Sequence, residues 1–190
     1  WLALGLADFV CHLLVAETRF TSDLWGPGAE AQADVEILYS KRNWPDVGSD
    51  PLTWDRLVPV CSPKLLYQQS IPDQPNSLND YSLLHVIGYE EGWGHWLKQL
   101  GYHGIDASQG VHFDSLMTAM EMAAHGHGIA LSRSSLAAEM LASGRLIAPF
   151  NESIAAAESF FLATPSNKPI QSQAQKFKDW LIRQAEKSKD

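Results

Sequence analysis

The chain has 190 residues and a mass of 21.0 kDa, enough for a hydrophobic core in one domain or in two small lobes. It is 45% hydrophobic and 19% charged, a composition that excludes an intrinsically disordered protein. The net charge of −8 argues against binding of nucleic acid by this chain itself, and no apolar run approaches the roughly 20 residues that span a bilayer.

The first segment, WLALGLADFVCHLL, predicts an amphipathic helix. Leu2, Leu6, Phe9 and Leu13 recur at steps of three and four residues, which places them on one helical face. Because this pattern begins at the first residue without an initial Met, we expect the sequence to be a piece of a longer protein. The absence of a signal peptide then says little about the compartment.

Three strands and a helix follow in the next part of the chain. Alternating or β-branched residues predict strands at 19–25, 34–39 and 56–61, and residues 41–51 form a polar loop with two prolines. Ser62 is the N-cap of a helix that has Pro63 at its first position. Cys11 and Cys61 lie in apolar segments and are predicted to be buried thiols, the alternatives being a disulfide or a reactive thiol.

Beyond a connector at residues 70–80, strands and helices alternate regularly. The pattern predicts a parallel sheet with right-handed crossovers, in which Trp93 and Trp96 pack on one helix. A second connector leads to a last strand and a last helix. The predicted strands are 83–87, 110–113, 128–132, 145–150 and 159–164, and the predicted helices are 92–101, 115–125, 135–143 and the one that carries Ala174, Phe177 and Leu181.

The stretch MEMAAHGHGIALS raises the question of a metal or nucleotide site. On a helix, His125 and His127 would lie about 200° apart and could not share a metal ion. The two glycines join a helix to a strand, whereas a dinucleotide fingerprint joins a strand to a helix. We therefore predict a helix C-cap at Gly126, followed by a tight entry into the next strand.

The other end of the same helix is a candidate ligand site. Asp114 and Ser115 stand where a predicted strand meets the helix, and ligands of open parallel sheets bind at the carboxyl ends of the strands. Ser115 caps the helix, holds a ligand carboxylate, or does both. No HExxH, GxSxG or Walker motif occurs, and the seven histidines lack ligand spacing, so we predict neither an enzyme nor a metal site or cofactor.

The order of segments resembles the effector-binding domain of LysR-type transcriptional regulators, in the branch of the glycine-cleavage and beta-lactamase activators. The similarity runs from end to end. It is carried by WLALGLADF, ADVEILYSKRNWPDVG, LVPVCSPKL, FDSLMTAMEMAAHGHGIALSRSSLAAEMLASGRLIAPF, SFFLATP and FKDWL.

The resemblance implies an α/β fold of the type II periplasmic-binding-protein kind, with two Rossmann-like lobes and a small effector in the cleft between them. Lobe I would comprise residues 1–72 and 157–190, and lobe II residues 73–156. The implied effector-binding residues are Tyr39, Ser40, Tyr89, Phe113, Asp114, Ser115, Ser132 and Phe160.

Three features depart from the family pattern. Leu38 and Gly5 stand where members often have Arg, and Ser40 stands where they often have Gly. The first strand of lobe I would precede Trp1, so that either preceding residues or another chain must supply a central member of its sheet. These departures leave the identity of the effector open.

The resemblance also implies partners and a compartment. We expect a small, polar, anionic metabolite as effector and a homodimer, tetrameric at full length, in the cytoplasm with no membrane association. DNA would be bound only by a winged helix-turn-helix domain that is absent from this sequence. The first helix carries Cys11, Leu14 and Val15 beside its core-facing residues, and these cover either a second subunit or the lobe's own sheet. The alternative function is a periplasmic solute-binding protein of a transport system.

Overall fold

The computed structural model describes residues 34–41, 47–68, 75–89, 91–165 and 169–187. These residues form two compact units. Unit 1 contains the described residues up to Trp54 and from Glu158 onward, and unit 2 is Asp55–Ala157. The predicted first helix, the predicted strand at 19–25 and Cys11 lie outside the described residues.

The elements follow one another along the chain with short connections. The strands are β1 (Glu36–Lys41), β2 (Val47–Pro51), β3 (Arg56–Val60), β4 (Leu83–Val86), β5 (Val111–Phe113), β6 (Ile129–Arg133), β7 (Ile154–Ala155) and β8 (Glu158–Pro165). The helices are α1 (Pro63–Gln68), α2 (Trp93–Gln99), α3 (Leu116–Ala124), α4 (Ser134–Ala142) and α5 (Ser172–Lys187), with a 3-10 helix at Pro75–Asp80.

The described part of unit 1 is a three-stranded antiparallel sheet with one helix. Its strand order is β1-β8-β2, and its core is built from Leu52, Leu162, Leu181 and Ala185. The apolar face predicted for α5 is the buried one, because Leu181 on it is only 2% exposed. α5 is the longest described helix, and no described helix is long and apolar enough to cross a membrane.

Unit 2 contains a five-stranded mixed sheet of order β5-β4-β6-β3-β7. β4 runs parallel to β5 and to β6, as the alternation of strands and helices predicts. β3, however, is antiparallel to both β6 and β7. The prediction of a purely parallel sheet is therefore wrong for β3, since this strand precedes the regular alternation and enters the sheet from the opposite direction.

The two faces of this sheet bury different helices. Neighbouring residues of a strand point to opposite faces, and Leu83 and Leu84 accordingly belong to different hydrophobic clusters. One cluster contains Trp93 and Trp96 of α2, which are 1% and 0% exposed and pack edge to face, so their predicted packing role is confirmed. The other cluster contains the inner faces of α3 and α4.

Cys61 belongs to the core on the α2 side of unit 2. It is a free, fully buried thiol, as the apolar context of the sequence predicts. Burial raises the pKa of this thiol to about 12, because the apolar surroundings disfavour the thiolate. Cys61 is therefore protonated and unreactive at neutral pH.

Two segments differ from the predicted secondary structure. Residues 47–51, predicted as loop, form β2, because β8 offers them a strand to pair with and Pro51 stands at the strand end, where a missing N–H is tolerated. Residues 145–150, predicted as a strand, make only one bridge, between Ile147 and Cys61. Pro149 has no N–H with which to continue a ladder.

The boundary between the units also differs from the predicted lobes. Residues 55–72 were assigned to lobe I, but β3 pairs with β6 and β7 inside unit 2. The sequence pattern identifies a strand without naming its neighbours, and pairing with β6 is what places β3 in unit 2.

The end of α3 is the predicted helix cap. His125 is the C-cap residue and Gly126 follows it at a φ of +84°. The N–H of Gly126 donates to the carbonyl of Ala123 at 2.9 Å, and the N–H of His127 donates to that of Met122 at 3.1 Å. This pair of bonds is the Schellman motif, so the prediction of architecture rather than a metal or nucleotide site is confirmed here.

Candidate functional site

The carboxyl ends of β4, β5 and β6 meet at one edge of the unit 2 sheet. The three strands are parallel, with His85 beside His112 and Leu84 beside Ala130 in register. Residues that follow these strands therefore lie at the same edge, which is where open α/β sheets bind ligands. Five of the predicted effector-binding residues are found at or directly after these strand ends: Tyr89, Phe113, Asp114, Ser115 and Ser132.

Ser115 occupies the N-cap position of α3 but does not cap it. Its backbone is extended, with φ −134° and ψ 132°, yet its side chain makes no hydrogen bond to the first turn. Of the two roles that the sequence leaves open for Ser115, capping is thus not the one adopted in this structure. The half-buried hydroxyl and the first N–H groups of α3 remain available to an acceptor at the edge.

Phe113 and Asp114 precede this helix in different environments. Phe113 is half-buried against the cluster beneath α3, and its carbonyl accepts a hydrogen bond from the N–H of Ile87 at 2.8 Å. Asp114 is exposed to solvent. The bond from Ile87 ties the turn after β4 to the end of β5, so that the loop bearing Tyr89 begins beside the start of α3.

Ser132 lies inside the fold rather than on its surface. It is 0% exposed, and its hydroxyl donates to Met120 Sδ at 3.0 Å and lies 3.3 Å from the carbonyl oxygen of Arg133. Met120 belongs to the buried face of α3. The hydroxyl is therefore directed towards that helix, and its predicted contact with an effector stays a prediction.

Arg133 is a residue of this edge that the sequence analysis does not single out. It ends β6, is only 1% exposed, and its guanidinium carbon lies 3.7 Å from the centroid of the Tyr89 ring. A stack of this kind is a cation–π interaction. Arginine directly after a strand gives no signal of it, because Tyr89 is 44 residues earlier in the chain.

The unit 1 candidates lie on two neighbouring strands. Tyr39 of β1 and Phe160 of β8 are directly opposite in register, with ring centroids 5.0 Å apart and planes inclined by 59°. Ser40 is paired with Ser159 through the backbone. The N–H of Phe160 donates to Thr53 Oγ1 at 3.0 Å, which fixes the backbone of this strand. Their role in binding stays a prediction.

The histidines form no metal centre in the described part of the chain. No group of three or more His, Cys, Asp or Glu residues there is placed to hold a metal ion. His85 and His112 stack with centroids 4.5 Å apart, and a ring nitrogen of His85 lies 3.0 Å from the carbonyl oxygen of Gln109. His125 Nδ1 lies 2.7 Å from the carbonyl oxygen of Glu121 in its own helix.

Comparison with known proteins identifies the family. The family model described as the LysR substrate binding domain matches residues 16–186. The chain belongs to the LysR substrate-binding domain family. The resemblance carried by the sequence segments is thereby confirmed.

Relatives of this LysR substrate-binding domain are named as transcriptional activators. It is 30% identical over 193 residues to the glycine cleavage system transcriptional activator of Escherichia coli K12, covering 95% of this chain and 63% of that protein. It is 29% identical over 152 residues to the HTH-type transcriptional activator AmpR of Rhodobacter capsulatus, covering 80% of this chain and 50% of that protein. The chain thus spans about half to two thirds of the length of these relatives.

Solved structures show the same fold. The AmpR effector binding domain from Citrobacter freundii matches with a TM-score of 0.69 and 26% identity, over 81% of this chain and 75% of that one. The effector domain of AmpR of Pseudomonas aeruginosa matches with a TM-score of 0.68 and 24% identity, over 82% and 73%. The predicted α/β fold of the type II periplasmic-binding-protein kind is confirmed, as is the LysR substrate-binding assignment over the transport alternative.

Proposed function

We propose that this domain senses a small, polar, anionic metabolite for a bacterial LysR-type regulator that acts in the cytoplasm. The observation that carries the proposal is the start of α3, where Ser115 leaves the first turn uncapped at the carboxyl edge of three parallel strands. A helix N-terminus carries about half a positive charge, which favours a carboxylate. The family assignment supports a ligand at this edge.

Tyr89 and Phe113 supply the aromatic part of the proposed site. Both pack against the cluster beneath α3 while remaining half-exposed, so each has ring surface to offer a ligand. We retain Tyr39, Ser40 and Phe160 of unit 1 as proposed contacts, on the resemblance alone. Leu38 is 4% exposed within unit 1, so the position where relatives often carry Arg contributes apolar packing here.

A thermal-shift screen tests the site. The probes are acetate, glycolate, succinate, glycine and alanine, together called the carboxylate panel, within a wider set of metabolites. A probe at a hundred times its dissociation constant stabilises the fold by about 2.7 kcal/mol. For a domain of this size that corresponds to a rise in Tm of roughly 5 to 10 °C. We expect at least one carboxylate to produce such a rise.

Ser115→Glu should abolish that rise without changing the Tm of the unliganded protein. The longer side chain fills the space at the start of α3, and its charge repels a carboxylate. Ser143→Glu is the matched control, because it makes the same change at an exposed position at the end of α4. If Ser115→Glu binds the same probe with unchanged affinity, the anchor lies elsewhere.

We also propose that the domain self-associates as a homodimer. The predicted first helix, which carries the apolar residues beyond its core-facing stripe, lies outside the described residues. Within them, Val111 and Met117 are 49% and 52% exposed near the start of α3, which supports an apolar contact there. Light scattering at tens of micromolar should give about twice the monomer mass of 21.0 kDa. A monomer at that concentration would contradict the proposal.

A further inference from the structure

Arg133 is the one buried basic side chain in the described part of the chain. The other buried charged side chains there are carboxylates, namely Asp55, Glu91 and Glu158. Removing a guanidinium from water is costly, and buried arginines are kept where their geometry serves a purpose. The geometry here is a guanidinium carbon 3.7 Å from the centroid of the Tyr89 ring.

Tyr89 belongs to neither a helix nor a strand. It follows the turn at residues 87–88, where Gly88 has a φ of +93°, so no backbone ladder holds the residue in place. The orientation of its side chain is set by packing. The ring contacts the cluster beneath α3, and the guanidinium of Arg133 lies over its face.

Stacking and hydrogen bonding use different parts of a guanidinium. Its five N–H donors lie in the plane of the group, whereas the ring of Tyr89 meets its flat face. The stack therefore restrains the tyrosine ring whatever acceptors the in-plane donors reach. Arg133 itself is anchored, because it is the last residue of β6 and is paired in register with the buried Leu57 of β3.

We propose that Arg133 is a positioning residue of the effector site, which holds the ring of Tyr89 in the orientation that meets the effector. This inference rests on the proposed function, because Tyr89 is a contact only if the effector binds at this edge. It assigns Arg133 a role in affinity that is exerted through Tyr89 rather than through direct contact with the ligand.

A double-mutant cycle on affinity tests the inference. The dissociation constant of each carboxylate-panel probe that binds the wild type is measured by calorimetry for Arg133→Met, Tyr89→Leu and the double variant. If Arg133 acts through Tyr89, each single change weakens binding by about tenfold and the double change weakens it no further. Tyr89→Phe, which keeps the ring under the guanidinium, should stay within about threefold of the wild type.

The other outcomes overturn the inference in distinguishable ways. A roughly hundredfold loss in the double variant would mean that Arg133 and Tyr89 contribute separately, with Arg133 contacting the ligand itself. An unchanged dissociation constant in Arg133→Met would mean that the arginine serves folding alone. If the wild type binds no compound of the panel or of the wider set, the proposed function fails and the inference with it.

An NMR measurement avoids changing Arg133 in case Arg133→Met does not fold. In wild-type protein carrying ¹⁵N-labelled arginine, the ring current of Tyr89 should shift the Nε–H signal of Arg133 upfield. We expect a panel probe that binds to perturb this signal in the wild type and in Tyr89→Phe, but not in Tyr89→Leu. A signal that responds to the probe equally in Tyr89→Leu would contradict action through Tyr89.

Discussion

Gly126 and Gly128 stand two residues apart but are constrained by different parts of unit 2. Gly126 has a φ of +84° in the cap of α3, and a Cβ added there would meet nothing within 4 Å. Gly128 has a φ of +153°, and a Cβ added there would lie 2.3 Å from the carbonyl oxygen of Ser82. The first glycine is required by backbone conformation alone, and the second also by a close approach between two chain segments.

Alanine substitutions at these glycines should separate the two constraints. Gly126→Ala should lower the free energy of unfolding by about 1 to 2 kcal/mol, the usual cost of a left-handed residue with a Cβ. Gly128→Ala should cost about 3 kcal/mol or more, because the strain of its backbone adds to a clash with Ser82. Urea denaturation of both variants measures the difference. Equal losses would mean that the backbone near Ser82 moves aside freely.

The start of α4 depends on a residue from a distant part of unit 2. Its N-cap position is Arg133, whose side chain makes no cap hydrogen bond. Asp55 instead accepts a hydrogen bond from the N–H of Ser135 at 2.8 Å, and Ser134 Oγ lies 3.0 Å from the N–H of Arg56, which donates to it. The carboxylate of Asp55 thus satisfies an N–H of the first turn and faces the positive end of the helix.

Removing this carboxylate should loosen the first turn of α4. We expect Asp55→Ala to lower the free energy of unfolding by about 1 to 2 kcal/mol, the range of a lost helix cap. Asp55→Asn keeps a carbonyl oxygen that can accept from Ser135, so its loss should be smaller. Hydrogen exchange of the Ser135 amide should become faster in Asp55→Ala and change less in Asp55→Asn. Unaltered exchange in Asp55→Ala would show that the bond contributes nothing.

At the scale of the whole molecule, the charge decides what this chain can bind by itself. Its net charge is −8, and binding of duplex DNA depends on neutralising phosphates with Lys and Arg. We expect no sequence-selective complex in a gel shift with this chain at physiological salt. The full-length regulator on the same promoter fragment is the positive control. Selective binding of the isolated chain at submicromolar concentration would refute the prediction.

The sequence alone determined the local structure and the family. Helical spacing and capping residues placed α2, α3, α4 and α5, because these signals depend on residues within a few positions of one another. The ordered segments identified the LysR substrate-binding family, which the family match confirms. The same local reasoning placed Tyr89, Phe113 and Ser115 after strands that prove parallel, hence at one edge of a sheet.

The tertiary structure decided which distant segments meet. It alone assigned β3 to unit 2, paired β2 with β8, directed the Ser132 hydroxyl to Met120 and brought Arg133 onto the ring of Tyr89. Each of these contacts joins residues with no short-range relation in sequence, and each competes with other pairings of similar local propensity. The choice among them depends on how the whole sheet buries its two faces, because burial is a property of the assembled fold.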